Sequence, residues 1–93
     1  MAQFDVFVTE KGEGYRCEVT VKEGSSQTRH SVTLDKADHE RLTEGQATPR
    51  ELVTESFRFL LEREPKESIL RSFDLTVISR YFPSYEREIA NRL

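Results

Sequence analysis

The first third of the chain alternates apolar and polar residues. In YRCEVTVK, which begins at Tyr15, every second residue is apolar, and the stretches FDVFVT and TRHSVTL show the same period. Because successive side chains of a strand point to opposite faces, a period of two indicates a sheet with one buried face. Glycines between these stretches favour short hairpin loops. We predict an antiparallel meander of three strands, at about residues 3–9, 15–23 and 28–34.

Helix signals begin where the alternation ends. Asp35 is a suitable N-cap for a short helix that stops near Gly45. The stretch TPRE supplies Thr48 as an N-cap, Pro49 at the first helical position and Glu51 where a capping box needs an acid. These signals predict helices over about residues 36–43 and 49–64.

Prolines divide the last third of the chain into shorter segments. Pro65 and Pro83 can each end one helix and begin the next. Apolar residues recur there at steps of three and four, which is helical spacing, at Leu75, Ile78, Phe82, Tyr85 and Ile89. We predict helices at about residues 66–73, 75–82 and 84–92, although Leu75–Ser79 taken alone also fits a strand.

These elements predict a single α+β domain, in which the meander packs against a C-terminal set of helices. A chain of 93 residues is long enough to bury one modest core. The composition is 35% hydrophobic and 33% charged, with six Phe and three Tyr, so the chain has enough apolar anchors to fold. A core this small gives little net stability, and a homodimer that covers leftover apolar surface is one expectation.

The helix at residues 49–64 is apolar around much of its circumference. Its apolar residues are Leu52, Val53, Phe57, Phe59, Leu60 and Leu61. They spread over an arc of about 200°, which is more than one sheet face covers. The helix therefore either lies between the sheet and the C-terminal helices or leaves a flank for another protein chain. For the second case we predict a partner surface made of Leu52 and Phe59, with Arg80 and Tyr81 beside them.

The stretch SRYFPSYERE, at Ser79–Glu88, combines three aromatics with two arginines. It is either a recognition surface or a corner between packed helices, and the helical spacing of Phe82 and Tyr85 favours the corner. The overall charge of −3 argues against a dedicated nucleic-acid binder. Residues 49–93 nevertheless hold eight acids and eight bases, and seven of those bases are arginine.

Weak nucleic-acid binding is the alternative function. The stretch KESILRSFDLTVISRYF resembles a helix-turn-helix in outline, because it predicts two short helices joined by a tight turn. The arginines available for nucleic-acid contact are Arg71, Arg80, Arg87 and Arg92. Glu86 and Glu88 dilute this positive charge, so a solvated face of weak ion pairs is favoured over a binding surface.

The sequence contains no catalytic, cofactor or metal motif. His30 shares a predicted strand face with apolar residues, and His39 has no second His or Cys at helical spacing. Cys17 lies in mid-strand on the apolar side, where a thiol is unreactive. We therefore expect a protein that is not an enzyme and has no cofactor, and no motif assigns it to a known family.

Cysteine content and hydropathy bear on location. A single cysteine, Cys17, cannot form an internal disulfide, which favours a reducing compartment. The first residues do not follow the pattern of a signal peptide, and no stretch has the roughly 18 apolar residues of a membrane span. We expect a cytoplasmic protein whose partner is another protein or a second copy of itself.

Overall fold

A three-stranded antiparallel meander forms the first third of the molecule, as predicted. The computed structural model describes residues 2–93. Its first strands are β1 (Gln3–Lys11), β2 (Gly14–Glu23) and β3 (Ser26–Asp35). Two-residue loops join them, and the first loop residues, Gly12 and Gly24, both have φ of 59°. A positive φ at this position is what a type II′ hairpin turn requires, and glycine adopts it without strain.

The sheet has one buried face and one open face. Along the buried face Val6 lies opposite Val19, and Val19 lies opposite His30. Val19 and His30 are almost completely buried, whereas Phe7 on the open face is 75% exposed. The helices and turns that follow the meander pack on the buried face, so the molecule has two layers.

Two helices follow β3 at nearly the predicted positions. Helix α1 (Lys36–Thr43) begins after Asp35, whose side chain makes no capping hydrogen bond. Helix α2 (Pro49–Leu61) has the predicted capping box. The amide of Glu51 donates to the Thr48 hydroxyl at 3.1 Å, and the amide of Thr48 donates to the Glu51 carboxylate at 2.8 Å.

Helix α2 ends earlier than predicted because the chain turns at residues 62–64 before Pro65. Proline disfavours helical geometry in the residue that precedes it. The guanidinium of Arg63 stacks on the Phe59 ring at 3.6 Å from its centroid and donates a hydrogen bond to the Phe59 carbonyl at 3.1 Å. A basic side chain that binds a terminal carbonyl stabilises a helix end.

The predicted helix over residues 66–73 is wrong. Only Lys66–Ser68 forms a 3-10 turn, and Ser72–Asp74 forms a fourth strand, β4, which pairs parallel to β3. The reason lies in β3, because Ser31 donates its amide to the Arg71 carbonyl at 2.7 Å and the His30 ring binds the Leu70 carbonyl at 2.7 Å. These bonds hold the segment extended alongside β3, and an extended backbone is incompatible with a helix.

The remaining segments are helical. Leu75–Ser79, which taken alone also fits a strand, is therefore helical as predicted. Leu75–Val77 is a 3-10 turn, capped by the Asp74 carboxylate, which accepts the Thr76 amide at 3.2 Å. It continues into α3 (Ile78–Tyr81), and after a break at Pro83 the chain forms α4 (Tyr85–Arg92). The break confirms the segmentation that the prolines predict.

Helix α2 lies between the sheet and the C-terminal helices. The Phe57 ring packs 5.3 Å from the His30 ring of β3, whereas the Phe59 ring packs 5.3 Å from the Tyr85 ring of α4. Leu52 and Phe59 are fully buried. The prediction that these two residues form a partner surface is therefore wrong, because α4 covers the flank of α2 on which Phe59 lies.

The burial of Phe59 gives a stability prediction. Phe59→Ala should lower the free energy of unfolding by about 3–5 kcal/mol, because it leaves a cavity between α2 and α4. Tyr81→Ala is the matched control and should change stability by less than about 0.5 kcal/mol, because this side chain is 65% exposed. Urea unfolding followed by circular dichroism measures both values. Equal stability of the Phe59 variant and the wild type would contradict the packing described.

Candidate interaction surface

The corner at Ser79–Glu88 is mostly packed. Tyr85 is fully buried. Its hydroxyl donates to Ser56 at 2.6 Å, since the Ser56 hydroxyl donates its own proton to the Leu52 carbonyl at 2.7 Å. Burial raises the pKa of Tyr85, so it stays a neutral donor. The favoured interpretation of the corner as a packed junction is confirmed for Tyr85.

Ion pairs fix the outer side of this corner. Arg41 of α1 binds Glu86 at 2.6 Å, and Arg63 binds Glu88 at 2.9 Å. A hydrogen bond from Ser84 lowers the pKa of Glu88, with Arg63 contributing to the same shift. The two acids of α4 are thus occupied by internal partners.

Tyr81 is the aromatic of the corner that does not pack inward. It is 65% exposed, and Arg80 before it is also exposed. Of the four residues predicted as a partner surface, the structure leaves only Arg80 and Tyr81 accessible.

The four arginines predicted for nucleic-acid contact differ in whether they have an internal partner. Arg71, Arg80 and Arg87 are exposed, and their guanidinium groups have no hydrogen-bond or ion-pair partner within residues 2–93. Arg92 binds Glu62 at 2.7 Å and lies 5.7 Å from the Phe59 ring centroid. A hydrogen bond to Glu62 raises the pKa of Arg92, so this residue is part of an internal contact.

The helix-turn-helix outline is wrong. The segment that would supply its first helix contains the 3-10 turn and β4, and β4 is bound to β3. A recognition helix needs a supporting helix that crosses the phosphate backbone, and this segment provides none.

An apolar groove lies beside Tyr81, between the end of α2, the chain around β4, and α3. We call it the Tyr81 groove. It has a volume of about 200 Å³ and is lined by Leu60, Glu64, Ser68, Ile69, Leu70, Phe73, Val77, Ile78, Tyr81 and Phe82. Leu70 is 47% exposed at this site.

Among residues 2–93, Glu64 is the only charged residue that lines the Tyr81 groove. Its carboxylate has no hydrogen-bond or ion-pair partner in the described part of the chain, residues 2–93. Burial raises the pKa of this carboxyl, because desolvation disfavours the charged form. A cation placed beside this carboxyl would favour its charged form and form an ion pair with it.

His30 holds one wall of the groove. Its Nδ1 must donate the 2.7 Å hydrogen bond to the Leu70 carbonyl, since a carbonyl only accepts. Its Nε2 lies 2.9 Å from the Thr28 hydroxyl. His30 is therefore a structural residue that places the backbone at Leu70.

Lys66 fixes the same segment from its other end. Its side chain is almost completely buried and contacts Glu67 at 3.0 Å and Glu23 of β2 at 3.1 Å. Hydrogen bonds to these two carboxylates raise the pKa of Lys66. The segment from Lys66 to β4 is therefore bound to both β2 and β3.

The remaining reactive groups are occupied or buried. The Nε2 of His39 donates to the Ala47 carbonyl at 2.7 Å. Burial raises the pKa of the Cys17 thiol to about 11, with a smaller effect from Glu18, so the thiol is protonated at neutral pH. Within residues 2–93 no three His, Cys, Asp or Glu side chains are grouped as a metal site requires. None of the helices in this range has the length and apolar character of a membrane-crossing helix.

Comparison with known proteins adds no assignment. No protein-family model, no curated protein and no solved structure matches this chain. Function is therefore inferred from the residues and their geometry.

The role of His30 can be tested by amide exchange. His30→Phe retains an aromatic ring beside Phe57 but leaves the Leu70 carbonyl without its donor, which costs about 1–3 kcal/mol. We expect hydrogen–deuterium exchange at the Ser31 amide to accelerate, because this amide binds the neighbouring Arg71 carbonyl.

The control is His39→Phe, which removes a hydrogen bond of the same kind at the loop before α2. It should leave exchange at Ser31 unchanged. Unchanged exchange at Ser31 in the His30 variant would show that His30 does not hold the groove wall.

Proposed function

We propose that this protein is a non-enzymatic protein-interaction module, which binds an apolar segment of another protein in the Tyr81 groove. One observation carries the proposal. Of the three exposed large hydrophobic side chains in residues 2–93, two, Leu70 and Tyr81, line this one groove. Single exposed apolar residues are ordinary, but exposed apolar residues that share a concave surface are typical of a docking site.

The partner segment should combine apolar side chains with a lysine or arginine. The walls of the groove are apolar, and Glu64 adds one carboxylate without an internal partner. A basic side chain of the partner would form an ion pair with Glu64 while its neighbours fill the space beside Leu70 and Tyr81. Charge complementarity of this kind fixes the register of a bound segment.

The size of the groove supports a docking site more than an active site. Its volume of about 200 Å³ is below the roughly 300–1,000 Å³ of ligand pockets, and among the described lining residues Glu64 supplies the one carboxylate. Cytoplasmic location is part of the proposal, supported by a single cysteine, Cys17, which is buried as a free thiol.

Selection from a random peptide library displayed on phage tests the proposal. We expect enriched peptides that share two or more large apolar residues and one lysine or arginine. Tyr81→Asp should abolish their binding, because it places a charge in the apolar groove. Gln46→Asp is the control, since it adds the same charge at an exposed residue outside the groove.

Three results would overturn the proposal: no enrichment, an acidic consensus, or equal binding by both variants. Binding of mixed-sequence duplex DNA or RNA would favour the alternative function instead. That binding should fall steeply with salt and be lost in an Arg80→Glu, Arg87→Glu double variant.

The ion pair to Glu64 predicts a pH dependence for a selected peptide. Protonation removes the charge of Glu64, so the affinity should fall as the pH is lowered through the raised pKa of this carboxyl. Glu64→Gln should weaken peptide binding about tenfold at neutral pH and make the affinity less dependent on pH. Isothermal titration at several pH values measures both effects. An identical pH profile for the wild type and the Gln variant would refute a role for Glu64.

A further inference from the structure

Strand β1 leaves one long edge of the sheet unpaired. The strand order is β1-β2-β3-β4, so β1 has a neighbour only on its β2 side within residues 2–93. Its nine residues pair with β2 without interruption, from Gln3 opposite Lys22 to Lys11 opposite Gly14. At the opposite edge of the sheet β4 covers β3. Within residues 2–93, the β3 edge of the sheet is therefore covered by a further strand, whereas the β1 edge is not.

The hairpin geometry shows which backbone groups of β1 are free. Lys11 and Gly14 close a two-residue loop, a position occupied by a hydrogen-bonded pair, and such pairs alternate along an antiparallel ladder. The N–H and C=O groups of the odd-numbered residues of β1 consequently face β2. Those of the even-numbered residues face the free edge: Phe4, Val6, Val8 and Glu10.

The same rule can be checked at the second hairpin. Glu23 and Ser26 close its loop, so the amide of Ser31 should point away from β2. It does, since it donates to the Arg71 carbonyl at 2.7 Å. The assignment of the free groups of β1 rests on the same alternation.

Strand β1 lacks the usual features that protect an edge from pairing. Natural edges use proline, a bulge, a short strand or an uncompensated charge. β1 has no proline and no bulge, and two of its three charges have internal partners. Asp5 binds Lys22 at 2.8 Å, and Glu10 binds Lys36 at 2.6 Å. Only Lys11, at the end of the strand, has no such partner among residues 2–93.

The apolar side chains of β1 are also incompletely covered. Val6 and Val8 are half-buried, whereas their neighbours across the ladder, Val19 and Cys17, are almost completely buried. On the open face Phe7 is 75% exposed and is the most exposed large hydrophobic residue that the structure describes. A strand added at this edge would cover Val6 and Val8 on one face of the sheet and Phe7 on the other.

We propose that β1 pairs antiparallel with β1 of a second copy of this chain, about a two-fold axis at Phe7, to form one eight-stranded sheet. This inference goes beyond the proposed function, because it uses a different surface from the Tyr81 groove. The register follows from self-complementarity, since it places Phe7 opposite Phe7 and Val6 opposite Val8. It pairs the whole length of β1 and sets Gln3 opposite Lys11. This register sets Phe4 opposite Glu10, and a register centred on Val8 sets Val6 opposite Glu10, so both contain one apolar side chain against a charge. The register centred on Val8 would also set Phe7 opposite Thr9, and it would lose the pair of aromatic side chains that favours the register about Phe7.

Cysteine cross-linking tests the register. In this dimer Phe7 forms a non-hydrogen-bonded pair with itself, with Cα atoms about 4.5 Å apart, which is within the range of a disulfide. Phe7→Cys should give a covalent dimer on mild oxidation with diamide, seen on a non-reducing gel. Cys17 does not interfere, because its thiol is buried and protonated.

Thr9→Cys is the matched control, since Thr9 is exposed and lies on the same face of the same strand. In the proposed register its two copies are separated by four residue steps, or about 13 Å, so no disulfide should form. Cross-linking of Thr9→Cys as fast as Phe7→Cys would overturn the register, and absence of cross-linking in both variants would overturn the pairing.

Oligomeric state gives an independent test. Sedimentation equilibrium over a concentration series should show a dimer for the wild type. Phe7→Lys should raise the dimer dissociation constant at least tenfold, because it sets two like charges opposite each other. Gln27→Lys adds the same charge on an exposed residue of β3 and should leave the constant unchanged. A wild type that stays monomeric at every concentration refutes the proposal, whatever the outcome for the Tyr81 groove.

Discussion

The two-sided burial of α2 is the constraint on which the rest of the structure depends. Phe57 faces the sheet and Phe59 faces α4, so one helix supplies side chains to two contact layers. A helix that is apolar over so wide an arc is stable only if both flanks are covered. The chain after Pro65 therefore has to return across α2, and Tyr85 and Ile89 of α4 complete the core. This return leaves the Tyr81 groove at the margin of the covered region.

Polar contacts decide where the returning chain lies. Hydrophobic burial is not directional, and it favours contact without specifying one arrangement. In this molecule the His30 ring, the Ser31 amide and the Tyr85 hydroxyl each bind one defined acceptor. Within residues 2–93 no buried side-chain nitrogen or oxygen lacks a hydrogen-bond partner. Displacing the C-terminal segment would leave several of these groups unsatisfied, which makes alternative packings costly.

What the sequence predicts correctly is set by local rules. The alternation around Val19 and the capping box at Thr48 depend on neighbours within four residues, and both are confirmed. The sequence does not predict strand β4, because this strand forms through contacts to β3, some 40 residues earlier in the chain, as between Leu70 and His30. A segment of three residues has no periodicity that could reveal such pairing.

The failures at the candidate surface have a related cause. A helical wheel shows how wide the apolar arc of α2 is, but it does not show which layer covers each part. It therefore predicts an outer position for Leu52 and Phe59, which the structure buries. The Tyr81 groove combines side chains from α2, α3 and the chain around β4. The one local signal is Glu64, an acid just before Pro65, where the sequence predicts the end of an apolar helix. Its position beside Leu70 depends on tertiary structure alone.

The placement of all helices on one face of the sheet has a consequence for avidity. In the proposed dimer, a two-fold axis perpendicular to the sheet at β1 would keep both helical layers on the same side and put the two β4 edges at opposite ends. With a strand spacing of about 4.8 Å, these ends lie roughly 34 Å apart. Two grooves at that separation would engage repeated segments of one partner simultaneously, and the second contact would benefit from a high effective concentration. A weak groove on a small domain would then act as half of a bivalent clamp.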